Sequence, residues 1–320
     1  MSTIEKLKHF KRQIKPFLQM LFYNSICKGY IELFGKRDKR KLKYRISLCL
    51  IFNNEAPFLK EWLDYHIVVG IDHFYLYNNN STDNYIDVVK PYVDNGVVTL
   101  INWPEPHSQF KAYKDCYDHV RNETNWLGFI DADEFICPIK DMNINDWIAR
   151  YQKYHAINIQ WVMFGTGGSL KHDYNKNVIE QYFACWKDFY HHGKTLVNTR
   201  FDISNFDKWH VHHHTYTFRR IFGVRISLPA ANQFKYICTV GHFWGGGKHK
   251  LQNASIQINH YYTKAWDIYS AKRKKADVLF EKNPKANIDY FYNKEMKCTS
   301  TNHTIQRFLI KLKLFQGIIE

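Results

Sequence analysis

Asp131 and Asp133 stand one residue apart in Ile130-Asp-Ala-Asp-Glu-Phe135, directly behind the apolar run Trp126-Leu-Gly-Phe129. Carboxylate oxygens are hard ligands matched to Mg²⁺ or Mn²⁺. Such an ion neutralises a bound diphosphate and the charge that grows on a phosphate leaving group. In an extended chain, residues i and i+2 project to one side, so a strand ending in Asp-x-Asp aims two carboxylates at one ion. Acidic tripeptides are common on surfaces, and the pair alone carries little. Its place behind a buried strand argues against surface chance.

Positioning those carboxylates requires a sheet. The continuous apolar run 46–52 fits a buried parallel strand and is closed by Asn53-Asn54-Glu55-Ala-Pro57. Helical periodicity follows over 58–69 through Leu59, Trp62, Leu63 and Ile67. A strand at 73–77 runs into the polar stretch 78–83; then come a helix at 85–92, a strand at 97–101, a helix at about 109–122 and the motif strand 126–130. This alternation predicts right-handed crossovers and one α/β domain, a mostly parallel central sheet flanked by helices. Ligands of such sheets bind beyond the carboxyl ends of the strands, where 53–55, 78–83, 104–107 and 131–134 converge. Further strands are expected at 156–164 and in short pieces over 170–260. A basic helix at 266–280 and an amphipathic element at 304–314 complete the pattern. The boundaries we read are a basic N-terminal arm at 1–43, the main domain at 44–280 and a C-terminal amphipathic extension at 281–320.

Composition narrows the class. At 45% hydrophobic and 17% aromatic, the 320 residues are globular rather than disordered. The formal charge is +15, but residues 1–45 hold 13 Lys or Arg against three acids, so the rest of the chain is only mildly basic. A nucleic-acid module would carry its basic face on the folded body, and none is expected as a partner. The arm spaces Leu7, Phe10, Ile14, Phe17, Leu18 and Leu21 helically among lysines. That pattern suits either a stripe packed on the body or an anchor to an anionic membrane surface through residues 1–43. Seven scattered cysteines without a Cys-x-x-Cys pair exclude a disulfide framework and point to a reducing compartment. No cleavable leader or membrane span is read, so the expectation is a cytoplasmic protein, held peripherally on the inner face of a membrane if the arm is an anchor.

Several stretches together resemble glycosyltransferase family 92, relatives of the family 2 enzymes with the GT-A fold. They are Cys49-Leu-Ile-Phe-Asn-Asn54-Glu55, Leu59-Lys-Glu-Trp62-Leu-Asp-Tyr-His66, Gly70-Ile-Asp-His-Phe-Tyr75-Leu-Tyr-Asn78 and Ser81-Thr-Asp83. The likeness continues through Gln109-Phe-Lys-Ala112, the Asp131 motif, Trp161-Val-Met-Phe164-Gly165, Val178-Ile-Glu180 and Asn259-His260-Tyr261-Tyr262. It spans roughly residues 45–275. Departures are Gly168-Ser169, where Gly-His is expected, and the triple Asn at 78–80 in place of a more acidic turn. These bear on substrate identity more than on reaction class.

The resemblance implies a GT-A-like domain with a Rossmann-like nucleotide-binding half. It further implies metal-dependent, inverting transfer of a sugar, often galactose, from a UDP-sugar to a glycan or glycolipid hydroxyl. By the same likeness Asn54, Glu55, Asn78 and Asp83 line the nucleoside pocket, and Gln109 and Lys111 reach the base or pyrophosphate. Asp131 and Asp133 hold Mn²⁺ or Mg²⁺, with His260 closing the metal shell or touching the diphosphate. An inverting step needs a base for the acceptor hydroxyl. Asp173, Glu180 and Asp188 are the candidates, Glu180 having the best support from the resemblance and Asp173 standing beside it. Glu134 is expected to orient the ligands. A cytoplasmic transferase with a basic arm suits surface polysaccharide or lipopolysaccharide assembly.

Other readings compete. A metal-dependent phosphotransferase would also pair carboxylates, and a basic anionic-surface or nucleic-acid binder would account for the charge alone. The histidines 191, 192, 210 and 212–214 could form a separate transition-metal site, but lack a carboxylate or Cys at motif spacing; acceptor-binding histidines are the plainer reading. Gly245-Gly-Gly-Lys248 lacks the spacing of a phosphate loop.

Overall fold

The computed structural model describes residues 17–206, 212–237, 251–274 and 287–320. Trp209, His210, the 245–248 loop and the first sixteen residues of the arm lie outside them. Thirteen strands are described: β1 (Tyr44–Phe52), β2 (His73–Asn78), β3 (Val98–Asn102), β4 (Thr124–Phe129), β5 (Glu134–Pro138), β6 (Ala156–Met163), β7 (Ala184–Cys185), β8 (Gly193–Asn198), β9 (Tyr216–Ile221), β10 (Val224–Pro229), β11 (Ala231–Asn232), β12 (Ile256–His260) and β13 (Ser300–Thr301). The main sheet runs β3-β2-β1-β4-β8-β6-β12-β5, with β11 added beside β6. β3, β2, β1 and β4 are mutually parallel, as the alternation predicts.

The apolar run of β1 is buried on both faces because helices cover both. Leu48, Leu50 and Phe52 join one core with Trp62, Leu63 and Phe74. Cys49, one residue out of phase, joins the other with Tyr113, Cys116 and Phe129. Helix Ala56–Val68 covers the first face and helix Gln109–Val120 the second. The four strands and three crossover helices from 44 to 129 land within two residues of the spacing-based expectation. The basic helix is described only as Trp266–Arg273, and 304–314 splits into a 3₁₀ turn Thr304–Phe308 and a helix Leu309–Phe315. The C-terminal segment is part of the body: Ile305, Phe308 and Leu312 are fully buried in the first core.

Strand β8 departs most from the sequence reading. It enters antiparallel between β4 and β6, where a continuing crossover pattern would place another parallel strand. Gly193 begins it for a steric reason. A Cβ there would lie 2.0 Å from the carbonyl oxygen of Ile159, so only glycine lets the two backbones meet.

Helix Ala56–Val68 also grips β5. The Tyr65 hydroxyl donates to the Ile136 carbonyl at 2.9 Å. His66 bonds the Trp62 carbonyl through Nδ1 at 2.8 Å, while its Nε2 accepts the Ile136 N–H at 3.2 Å. That arrangement needs a neutral ring, and burial pushes the His66 imidazole down to about 3. An unfolded histidine titrates near its ordinary value, so between the two the unfolded chain binds the extra proton. The contribution of His66 is therefore present at neutral pH. It is lost as pH falls, by about 1.4 kcal/mol per unit below about pH 6.5. Urea midpoints should drop from pH 7.5 to pH 5, and His66→Gln should flatten that slope; an unchanged slope would remove His66 as a cause.

Candidate functional site

Residues 131–133 are a turn joining β4 to β5, not the extended segment the i, i+2 argument assumes. The Glu134 N–H donates to the Asp131 carbonyl at 3.1 Å and closes the turn. Trp62 holds it from below, its indole N–H donating to the carbonyls of Asp131 at 3.1 Å and Glu134 at 2.9 Å. The turn sends the two carboxylates in different directions.

Asp131 faces β8. Its carboxylate takes the ammonium of Lys194 at 2.6 Å, and Lys194, fully buried, also stands 3.5 Å from Glu134. The Glu134 carboxylate reaches back to accept the Asp131 N–H at 3.1 Å. Burial alone would lower the Lys194 ammonium, but the Asp131 and Glu134 carboxylates hold it above its ordinary value. Burial pushes the Glu134 carboxyl up against the pull of Lys194. We read Lys194 as charged, because two carboxylates converge on it. The Tyr113 hydroxyl lies 3.4 Å from Asp131 and takes the Gln109 side-chain amide at 2.8 Å. Gln109 is thereby linked to the acidic turn through one tyrosine.

Asp133 faces β12. His260 Nε2 lies 3.5 Å from its carboxylate, and Lys272 lies 3.8 Å from it and 3.0 Å from Glu55. Antiparallel pairing puts His260 directly opposite Glu134, so the β5–β12 register itself assembles Asp133, Glu134 and His260. Ligand atoms of these three lie within 4.8 Å of one another. Two oxygens and an imidazole nitrogen are a donor set that a divalent ion accepts. Glu134 Oε1 is buried and accepts no hydrogen bond, and the same holds for Glu55 Oε2 and Gln109 Oε1. Buried acceptors normally have partners, so the Glu134 oxygen beside Asp133 and His260 suits a cation, and those of Glu55 and Gln109 suit donors of a ligand. Behind them Lys264 is buried, its ammonium 4.4 Å above the Phe58 ring and lowered to about 8 by burial and by Lys272.

The remaining expected residues lie elsewhere in the bonding pattern. Asn54 is left-handed (φ 54) and accepts from the Thr82 and Asp83 N–H groups at 2.7 and 3.2 Å. Asp83 accepts from the Ala56 N–H at 2.9 Å, at the start of a helix where an anion is favoured. Asn78 ties Tyr85, Asn102 and the Ser81 N–H together. These three lock the ends of β1, β2 and β3 to each other, and Glu55 alone of that group reaches the acidic turn. Lys111 is exposed and paired with Glu105. Glu180 closes a capping box with Asn177 and takes Lys313 at 2.6 Å. Asp173 accepts from the Asn175 N–H at 3.0 Å and lies 3.3 Å from Lys176. No bond joins Glu180 or Asp173 to the acidic turn.

Sequence reading missed Lys194, Tyr113 and Lys272. The available signal for Lys194 was a lone charge in the apolar strand Gly193-Lys-Thr-Leu-Val197. Removing one partner of a buried ion pair leaves the others uncompensated. Lys194→Met should therefore lose about 3–5 kcal/mol of stability in urea titration. A loss under about 1 kcal/mol would show that the carboxylates are not held by this charge.

The profile of glycosyltransferase family 92 matches residues 44–308. A family 92 protein of Oryza sativa subsp. japonica is 24% identical over 243 residues, covering 75% of this chain and 36% of that protein. A galactan beta-1,4-galactosyltransferase of Arabidopsis thaliana is 27% identical over 141 residues, 40% of this chain and 27% of that protein. The chain thus spans well under half the length of these relatives. Among solved structures, S. aureus TarS 1-349 in complex with UDP aligns at TM-score 0.34 with 12% identity, covering 48% of this chain and 47% of that one. The extent of the profile match settles one point: this chain belongs to glycosyltransferase family 92.

Proposed function

We propose that the chain transfers a sugar, with a galactose-type hexose favoured, from a UDP-sugar to a hydroxyl of a glycan or glycolipid, inverting the anomeric centre. The name of the galactan beta-1,4-galactosyltransferase that the chain resembles favours that hexose. The observation that carries the reading is the set of unmatched buried acceptors on Glu134, in the acidic turn, and on Glu55 and Gln109, which reach it through Lys272 and Tyr113. Ribose hydroxyls and the uracil N–H are donors that Glu55 and Gln109 can accept.

In this reading Asp133 and His260 hold a divalent ion, Mn²⁺ or Mg²⁺, with Asp131 and Glu134 beside them. The ion, when bound, stabilises charge on the departing diphosphate. Lys194 keeps Asp131 and Glu134 from repelling each other, and Lys272 holds Glu55 against Asp133. The acceptor oxygen gives its proton to a carboxylate and bonds to the anomeric carbon, while the C–O bond to phosphate breaks and UDP leaves with the electron pair. Asp173 and Glu180 remain our candidates for that carboxylate, and Asp173 is the more exposed, at 40% against 18%. The cellular context we infer is surface polysaccharide or lipopolysaccharide assembly, on the inner face of a membrane.

Adding UDP with Mn²⁺ should raise the melting temperature by several degrees, UDP alone should raise it less, and Asp133→Asn should abolish the difference. No response to any nucleoside diphosphate would sink the reading. The two base candidates separate by kinetics. Asp173→Asn should lower kcat at least about a hundredfold if it takes the proton. Glu180→Gln with normal kcat and reduced stability would assign Glu180 to its ion pair with Lys313, because glutamine keeps the helix cap.

A further inference from the structure

The helix over 17–34 has two unlike faces. Inward, Asn24 exchanges two hydrogen bonds with Ile237, its amide donating at 2.7 Å and its oxygen accepting at 2.8 Å. Cys27 and Ile31 on the same face are fully buried. Outward, Leu18, Phe22, Ile26 and Leu33 are all exposed, Leu33 by 76%, along a helix whose middle, Phe22–Cys27, is wound as a π-helix. A stripe needed only for packing would not be repeated on the far side.

A second element extends the outward face. Strands β9 and β10 form a hairpin whose turn is Phe222-Gly223, both at positive φ (47 and 81). Such a turn accepts Gly or Asn readily and a bulky ring at a cost of about 1–2 kcal/mol. The chain nonetheless places Phe222 there, 66% exposed, its ring edge-on to Tyr30 of the helix at 4.7 Å. Beside it Val224 is 63% exposed. Behind the tip Arg220 and Arg225 are exposed and stand directly opposite each other across the two strands, Arg225 lying over the Phe218 ring and Arg220 donating to the Gly223 carbonyl, so two like charges are held side by side there. The irregular segment after the helix likewise exposes Lys36, Arg37, Lys39 and Lys41.

We infer that the outward face of helix 17–34 and the β9–β10 tip form one surface that enters the headgroup layer of an anionic bilayer. Apolar side chains at the tips with arginines and lysines set just behind them match acyl chains overlain by anionic headgroups. A second copy of the chain would bring the same cations against each other, and a nucleic acid would not use exposed aliphatics. Among the described residues no helix is long and apolar enough to cross a membrane. The inference adds the hairpin to the attachment suggested by residues 1–43, and it stands or falls apart from the donor chemistry.

The test is co-sedimentation of the full chain with phosphatidylcholine vesicles, with and without phosphatidylglycerol. We expect binding to the anionic vesicles, weakened by salt, and a loss of about tenfold or more for Phe222→Ser/Val224→Ser. Arg220→Ser/Arg225→Ser should weaken binding and flatten its salt dependence. Equal binding to both vesicle types, or hairpin variants that bind as the wild type, would overturn the inference. Concentration-dependent dimers abolished by the hairpin variants, without vesicle binding, would assign the surface to a second copy instead. UDP-dependent stabilisation of the variants, read separately, reports whether the donor site is intact.

Discussion

A single buried cation organises the acidic end of the sheet. Lys194 sits without solvent between Asp131 and Glu134, in a place where two carboxylates one turn apart would otherwise drive each other out or take up protons. It can stand there only because β8 runs antiparallel between β4 and β6, and β8 fits there because its first residue is a glycine. The geometry of the turn, the burial of Glu134 and the direction of Asp133 follow from that insertion. A pair that reads in the sequence as two equivalent ligands is in the fold two different groups. One is bound to an internal ammonium and the other turned to a histidine and the site edge.

The parallel half was legible for a physical reason. Strands buried on both faces must be continuously apolar, helices on a sheet must show a 3.6-residue stripe, and the two signals alternate cleanly from residue 46 to residue 130. The polar strand ends were legible too, because they interrupt those runs. Their division of labour was not. Asn54, Asn78 and Asp83 look alike as polar residues at a ligand edge, but the first loops are close enough to bond each other. Only distances reveal that they fasten the edge while Glu55 faces the site.

The second half was less readable because its strands are short or reversed, and their neighbours come from far along the chain. His260 meets Glu134 across a register linking residues 126 apart, and Lys194 meets Asp131 across 63. No local period encodes such pairings. The family likeness pointed to His260 before the structure did, whereas Lys194, a lone charge in an apolar strand, could be noticed but not assigned a partner.

The direction of β6 gives the sheet a further meaning. The chain entering this strand supports helix 17–34, through Tyr154 on Glu32 and through Ile237, whose neighbour Ala231 pairs with Ile157. The chain leaving it pairs Met163 with His260. Eight strand residues rise about 26 Å, so the sheet acts as a ruler with the outward apolar surface at one end and the acidic turn at the other. If that surface rests on lipid, the reacting hydroxyl is held well clear of the headgroups. A short lipid-linked sugar would not reach it, while a longer chain could present its distal end. Acceptor length would then be selected by the height of the fold, with no residue needed to measure it.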